Sequence, residues 1–114
     1  MSDHADRIAV VTGGGRGLGR AIALGLAGAG ARVAIVARGR EQLAETVELG
    51  SAATGELVDL PCDVSDPSAV ERLKADVEER LGRASILVNA AGIFGPIALI
   101  RDVDPVAWQR TIMV

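Results

Sequence analysis

The sequence predicts an α/β chain: a parallel sheet of about four strands, wound on both faces by helices. Three observations carry this. Short apolar runs of strand length alternate with longer stretches whose apolar residues recur every three or four positions. The connections between them are short and marked by Gly or Asp-Pro. The first apolar run leads straight into a glycine-rich loop that opens a helix. The resulting order β-α-β-α-β-α-β-α implies parallel strands joined by right-handed crossovers.

Residues 1–6 read as a tail, polar and acidic, without the basic start of a signal peptide. Residues 7–11 read as the first strand, whose consecutive Ile8, Ala9, Val10 and Val11 suit burial on both faces. The first helix spans 17–29, with Leu18, Ile22 and Leu26 spaced four apart on one face and Gly30 as its stop. Gly25 and Gly28 weaken it by about 1 kcal/mol each relative to Ala, tolerable if the helix lies close against the sheet. The second strand is 32–37, followed by a turn at Arg38-Gly39-Arg40 and a helix over 41–49 with Leu43 and Val47 inward. The third strand is 56–60. Asp66-Pro67 starts a helix, with Asp as N-cap and Pro in the first helical position. Val70, Leu73, Val77 and Leu81 mark its buried face, Glu71, Lys74, Glu78 and Glu79 its wet face, and Gly82 its end. Residues 86–88 form the fourth strand, and Asp104-Pro105 starts a last helix that carries Trp108 as packing.

Composition narrows the function classes. The 114 residues suit one small domain or part of a larger one, and a hydrophobic fraction of 49% supplies a core. The apolar runs are far shorter than a bilayer span, so no membrane association is expected. Net charge is −3 with basic residues scattered among acidic ones, which argues against a nucleic-acid surface. A single cysteine, Cys62, points to a reducing, cytoplasmic compartment and reads as a small filler rather than a nucleophile. No metal site is expected, and His4 lies in the tail without a role.

Chemistry concentrates in Thr12-Gly13-Gly14-Gly15-Arg16-Gly17-Leu18-Gly19. A loop between a buried strand and a helix start gathers backbone N–H groups and the positive end of the helix around a phosphate. A Cβ there would block the tight turn and the approach of a pyrophosphate. The strict G-x-G-x-x-G spacing is absent, and no Gly-Lys-Ser/Thr follows to make an ATP-type loop. The loop reads as a dinucleotide site, the alternative being a glycine-rich turn without a ligand.

With these residues in place, the chain resembles the short-chain dehydrogenase/reductase family from Arg7 onward. Thr12, Gly13, Gly17, Leu18 and Gly19 match that family's cofactor loop, Thr-Gly-x-x-x-Gly-x-Gly. Cys62-Asp63-Val64 matches its adenine-contacting Asp, and Asn89-Ala90-Ala91-Gly92 is similar to its Asn-Asn-Ala-Gly motif. The resemblance implies a Rossmann-type doubly wound sheet, here incomplete, with the later strands missing and residues 7–114 forming the N-terminal part of one dinucleotide-binding domain. It implies cofactor contacts from Gly15 and Arg16 in the loop, from Asp63 and Val64, and from Asn89 through Gly92. Asn89 would also tie strands together. Asp63 reads alternatively as an acid leading the next helix.

The end of the second strand bears on cofactor choice. An NAD site usually carries an acid there to hold the ribose hydroxyls. This chain has Ala37 and then Arg38, and a guanidinium grips a 2′-phosphate where a carboxylate would repel it. With Arg16 as a second jaw, NADP is expected over NAD. The alternative makes Arg38 and Arg40 solvated turn residues paired with Glu41 or Glu45.

The family's hydride chemistry uses a Tyr, a Lys four residues later, a Ser and an Asn. The 114 residues contain no Tyr, and Lys74, the only Lys, has the wrong context. The resemblance therefore implies the cofactor half of a longer oxidoreductase, inactive alone, acting on a small carbonyl or alcohol substrate and assembling as a homo-oligomer. Two other readings stand beside it. One is a non-catalytic NADP(H)-binding module; the other is a methyltransferase-like nucleoside site, against which Ala37-Arg38 speaks. Without later strands, Ile86-Leu87-Val88 would be an apolar, unpaired edge. Phe94, Ile97 and Leu99, read as a loop, are expected at the rim of a substrate pocket.

Overall fold

A computed structural model of the chain describes residues 7–90 and the backbone of 97–99. The chain order is β1 (Ile8–Thr12), α1 (Gly17–Gly28), β2 (Arg32–Ala37), α2 (Arg40–Leu49), β3 (Glu56–Pro61), α3 (Pro67–Arg80), β4 (Ile86–Asn89) and β5 (Ile97–Leu99). The strands form one sheet in the order β3-β2-β1-β4-β5. All neighbours are parallel except β4 and β5, which pair antiparallel.

Alternate residues of a strand face opposite sides, and the sheet is buried on both. Val10, Ala34, Val36, Leu60 and Leu87 meet α3 through Val70, Leu73 and Val77. Ala9, Val11, Val33, Ile35 and Val88 meet α1 and α2 through Ala23, Ala27 and Leu43. This division follows from topology. The chain builds outward from β1 to β3, then returns past β1 to β4, so crossovers of one hand deliver α3 to the other face.

Helix ends follow local chemistry. Asp66 caps α3, its carboxylate accepting from the Ser68 N–H at 3.0 Å, and Pro67 occupies the first turn. At the other end of α3, Arg32 donates to the Leu81 carbonyl at 2.8 Å and pairs with Glu56 at 3.4 Å. Gly30 and Gly82 follow the ends of α1 and α3, as predicted. The β3 edge carries exposed Glu56, Asp59 and Pro61, residues that discourage pairing with another chain.

Five expectations need correction. The buried face of α1 is Gly19, Ala23 and Ala27, while Leu18 is 58% exposed and Ile22 and Leu26 are only half-buried. Gly25 and Gly28 are exposed rather than pressed on the sheet; a Cβ at either would meet nothing within 4 Å. Ile86-Leu87-Val88 is not an open edge, because β5 pairs with it through Val88↔Ile97, Leu87↔Ala98 and Ile86↔Leu99. Ile97 and Leu99 therefore lie in a strand, not a loop. Lys74, expected on the wet face of α3, is half-buried and paired with Glu78 at 3.4 Å. The tail with His4, the residues Ala91, Gly92 and Phe94, and the last helix with Trp108 lie outside the described residues.

Candidate functional site

The carboxyl ends of the strands converge at the point where strand order reverses, between β1 and β4. Open α/β sheets bind ligands in the crevice at such a switch point. Here the crevice is a cleft of ≈ 720 Å³, lined at the strand ends by Thr12, Ala37, Cys62 and Ala90. That is the volume range of small-molecule and cofactor sites.

Thr12 closes β1. It is fully buried, and its hydroxyl lies 3.0 Å from Asn89 Oδ1 and 3.3 Å from the Val88 carbonyl. The two residues are register partners, so the bond stitches β1 to β4 across the switch point. Asn89 thus ties the strands together, as expected, and is buried beneath the cleft rather than lining it.

The glycine loop follows. Gly13 and Gly17 have φ of 73° and 59°, a region L side chains rarely adopt. The Gly13 N–H donates to the Val36 carbonyl at 2.7 Å, fastening the loop to β2. Gly14 backs onto Ile35, 2.7 Å from where a Cβ would stand, and Gly19 backs onto the Gly13 carbonyl, leaving no room for one. Gly13, Gly15, Arg16 and Gly17 line the cleft; Gly19 is buried behind it, and Leu18 turns to solvent without lining it. The Gly15 and Arg16 N–H groups have no hydrogen-bond partner among the described residues.

Across the cleft stand Arg38, Asp63 and Val64. Arg38 is exposed at the end of β2, and Arg16 opens onto the same space. Neither Arg38 nor Arg40 forms an ion pair among the described residues, and Glu45, a suggested partner, is held by Arg20 at 2.9 Å. Asp63 is not the cap of α3; Asp66 is. Asp63 instead accepts from the Ser65 hydroxyl at 2.6 Å and the Ser65 N–H at 3.0 Å. These bonds, the hydroxyl's first, hold its carboxyl below the usual range, with Arg38 adding a smaller pull. Burial pushes the Cys62 thiol upward, and the Asp63 charge adds to that.

Sequence reasoning missed Gly39, Gln42 and Ser65, which also line the cleft. Ser65, two residues past the Asp63 motif, is the one a turn signal could have found. The donor set suits a dinucleotide: unpaired loop amides and a helix start for phosphates, two guanidiniums beside them, and a carboxylate acceptor for a base.

The model of the family described as short chain dehydrogenase matches residues 7–114. The 3beta-hydroxysteroid dehydrogenase of Mediterraneibacter gnavus is 36% identical over 112 residues, 98% of this chain and 41% of that protein. The rhamnolipids biosynthesis 3-oxoacyl-(acyl-carrier-protein) reductase of Pseudomonas aeruginosa is 42% identical over 111 residues, 96% of this chain and 42% of that protein. The crystal structure of a metagenomic short-chain oxidoreductase in complex with NADP superposes with a TM-score of 0.76 at 40% identity, covering 81% of this chain and 42% of that one. The chain thus spans less than half the length of these relatives.

Proposed function

The chain belongs to the short-chain dehydrogenase family, and from that premise we propose that it is the NADP(H)-binding half of an oxidoreductase acting on a small carbonyl or alcohol. Residues 7–114 are the N-terminal part of one dinucleotide-binding domain, and 1–6 its tail. The observation that carries the cofactor assignment is Arg38. It is exposed one residue past Ala37, the position at the end of β2 where NAD sites place a carboxylate, and it shares the cleft with Arg16. A neighbouring structure that holds NADP supports the same assignment.

When bound, the nicotinamide supplies or accepts the hydride. The residues of this chain bind and orient. The Gly15 and Arg16 N–H groups and the start of α1 receive the diphosphate; Arg38 and Arg16 receive the 2′-phosphate. Asp63 accepts from the adenine amino group, Val64 adds a backbone contact, and the small Ala90, with Ala91 and Gly92, leaves room for the adenosine ribose. Leu18 and Gly19 serve through the helix start, and Asn89 through its tie to Thr12. The proton-transferring groups lie elsewhere in the full protein, since these 114 residues contain no Tyr. The 114-residue polypeptide alone gives no turnover. The full protein is a cytoplasmic homo-oligomer; among the described residues no helix is long and apolar enough to cross a membrane.

The test is a pair of titrations of the full protein, with NADPH and with NADH. NADPH binds more tightly, and Arg38→Ala weakens NADPH by roughly 10- to 100-fold, the loss of a charge-assisted contact, while NADH changes little. Equal affinities, or a preference unmoved by Arg38→Ala, would remove the assignment.

A further inference from the structure

We propose that Arg20 and Thr46 are positioning residues for the phosphate-binding loop: they hold the Gly14 and Gly15 carbonyls back against the helices, so that the next two N–H groups face the cleft. This rests on the dinucleotide reading above and deepens it. Neither residue lines the cleft, and neither belongs to the glycine motif.

Thr46 is fully buried on α2, a helix whose only other buried residue is Leu43. Its hydroxyl lies 2.9 Å from the Gly14 carbonyl and 3.1 Å from the Gln42 carbonyl of its own helix, and it accepts from Arg20 Nε at 2.9 Å. Arg20, on α1, extends the grip. Its Nη2 donates to the Gly15 carbonyl at 2.6 Å and the Gln42 carbonyl at 3.3 Å, and its Nη1 pairs with Glu45 at 2.9 Å. One planar guanidinium thus joins α1, α2 and the loop, which the single ammonium of a Lys cannot reproduce.

The consequence is stereochemical. In a trans peptide the C=O and the following N–H point in opposite directions, and no cis peptide occurs among the described residues. Drawing the Gly14 carbonyl onto Thr46 turns the Gly15 N–H outward. Drawing the Gly15 carbonyl onto Arg20 turns the Arg16 N–H outward. Among the described residues these two amides, which lie between β1 and α1, have no partner. Rotating either plane would present a carbonyl oxygen to an anion and repel it. Glycines at 14 and 15 make such rotation easy, so the clamp supplies the rigidity they lack.

The experiment measures NADPH and NADH dissociation constants and the unliganded melting temperature of the full protein. Thr46→Val keeps the shape and removes the hydroxyl; Thr46→Ser restores it. Thr46→Val weakens both nucleotides by the same factor, about 10- to 100-fold, and Thr46→Ser returns within about threefold. A purely structural role lowers the melting temperature without changing the affinity of folded protein. Unchanged affinity in folded Thr46→Val, a Thr46→Ser as weak as Thr46→Val, or a loss confined to NADPH overturns the proposal. If Thr46→Val does not fold, Arg20→Lys is read the same way. A loss shared by both nucleotides supports the clamp; wild-type affinity, or failure of this variant also to fold, overturns it. An unsubstituted protein that binds neither nucleotide brings down the dinucleotide reading itself.

Discussion

Cys62 and Asp63 are neighbours on one wall of the cleft, and the Asp63 charge bears on the ionisation of Cys62. Partial burial raises the Cys62 thiol above its ordinary value, the Asp63 charge raises it further, and Arg72 opposes. Asp63→Asn removes the second cause and leaves the first. The Cys62 pKa then falls, yet stays above that of a free thiol. Iodoacetamide labelling at pH 8, followed by peptide mapping, reads this as faster alkylation of Cys62 in the variant, because only the thiolate reacts. Asp63 runs the other way, its carboxyl held low first by the Ser65 hydroxyl and then by the Ser65 N–H. A folded pKa below the unfolded one gives a contribution present above the unfolded value and lost as pH falls through the folded one. Ser65→Ala removes the larger cause, so the Asp63 titration followed by carbon-13 NMR moves up towards the ordinary Asp range. At this scale legibility was uneven. Asp63 was visible through its motif, and the paired role of Ser65 was not, since a serine two residues on is common in any turn.

Among the elements, α1 taught the most. Large side chains dominate any periodicity, so Leu18, Ile22 and Leu26 looked like the buried face, yet Gly19, Ala23 and Ala27 are buried. The reason is distance. The loop turns back so tightly that Gly19 lies on the Gly13 carbonyl, and the small Ala23 and Ala27 continue the same buried face along the helix. Large residues then flank the contact instead of filling it. The other two glycines of the helix do no such work. Gly25 and Gly28 are exposed with open space where a Cβ would go. Gly25→Ala should stabilise the protein by roughly 0.5–1 kcal/mol, from better helix propensity and a less flexible unfolded chain, measured by urea denaturation. Gly19→Ala should do the reverse, costing more than about 1 kcal/mol through displacement of the loop. The strands were more legible than this helix, because a doubly buried strand announces itself as an unbroken apolar run. β5 was the exception: a three-residue strand carries too little pattern to separate from a loop.

Across the whole molecule, the order of elements foretold the sheet. Alternating strands and helices with short connections leave few topologies, and the reversal after β3 places the crevice at the ends of β1 and β4. What order cannot supply is the clamp between α1 and α2, since Arg20 and Thr46 are 26 positions apart and each is unremarkable alone. On the proposed reading, the same topology makes cofactor binding a property of the fold rather than of one loop. The cleft is walled by the ends of β1, β2, β3 and β4 together, so a bound ligand spans strands that unfolding would separate. Linkage then requires the melting temperature of the full protein to climb with ligand and not to plateau when the site saturates, because only the folded state binds. At a free NADPH concentration 100 times the dissociation constant, the gain is about 2.7 kcal/mol. NADH at that same concentration should raise the melting temperature less, and in Arg38→Ala the two curves should converge on the lower one. A melting temperature flat to both nucleotides in the unsubstituted protein would mean that these four strand ends enclose no nucleotide site.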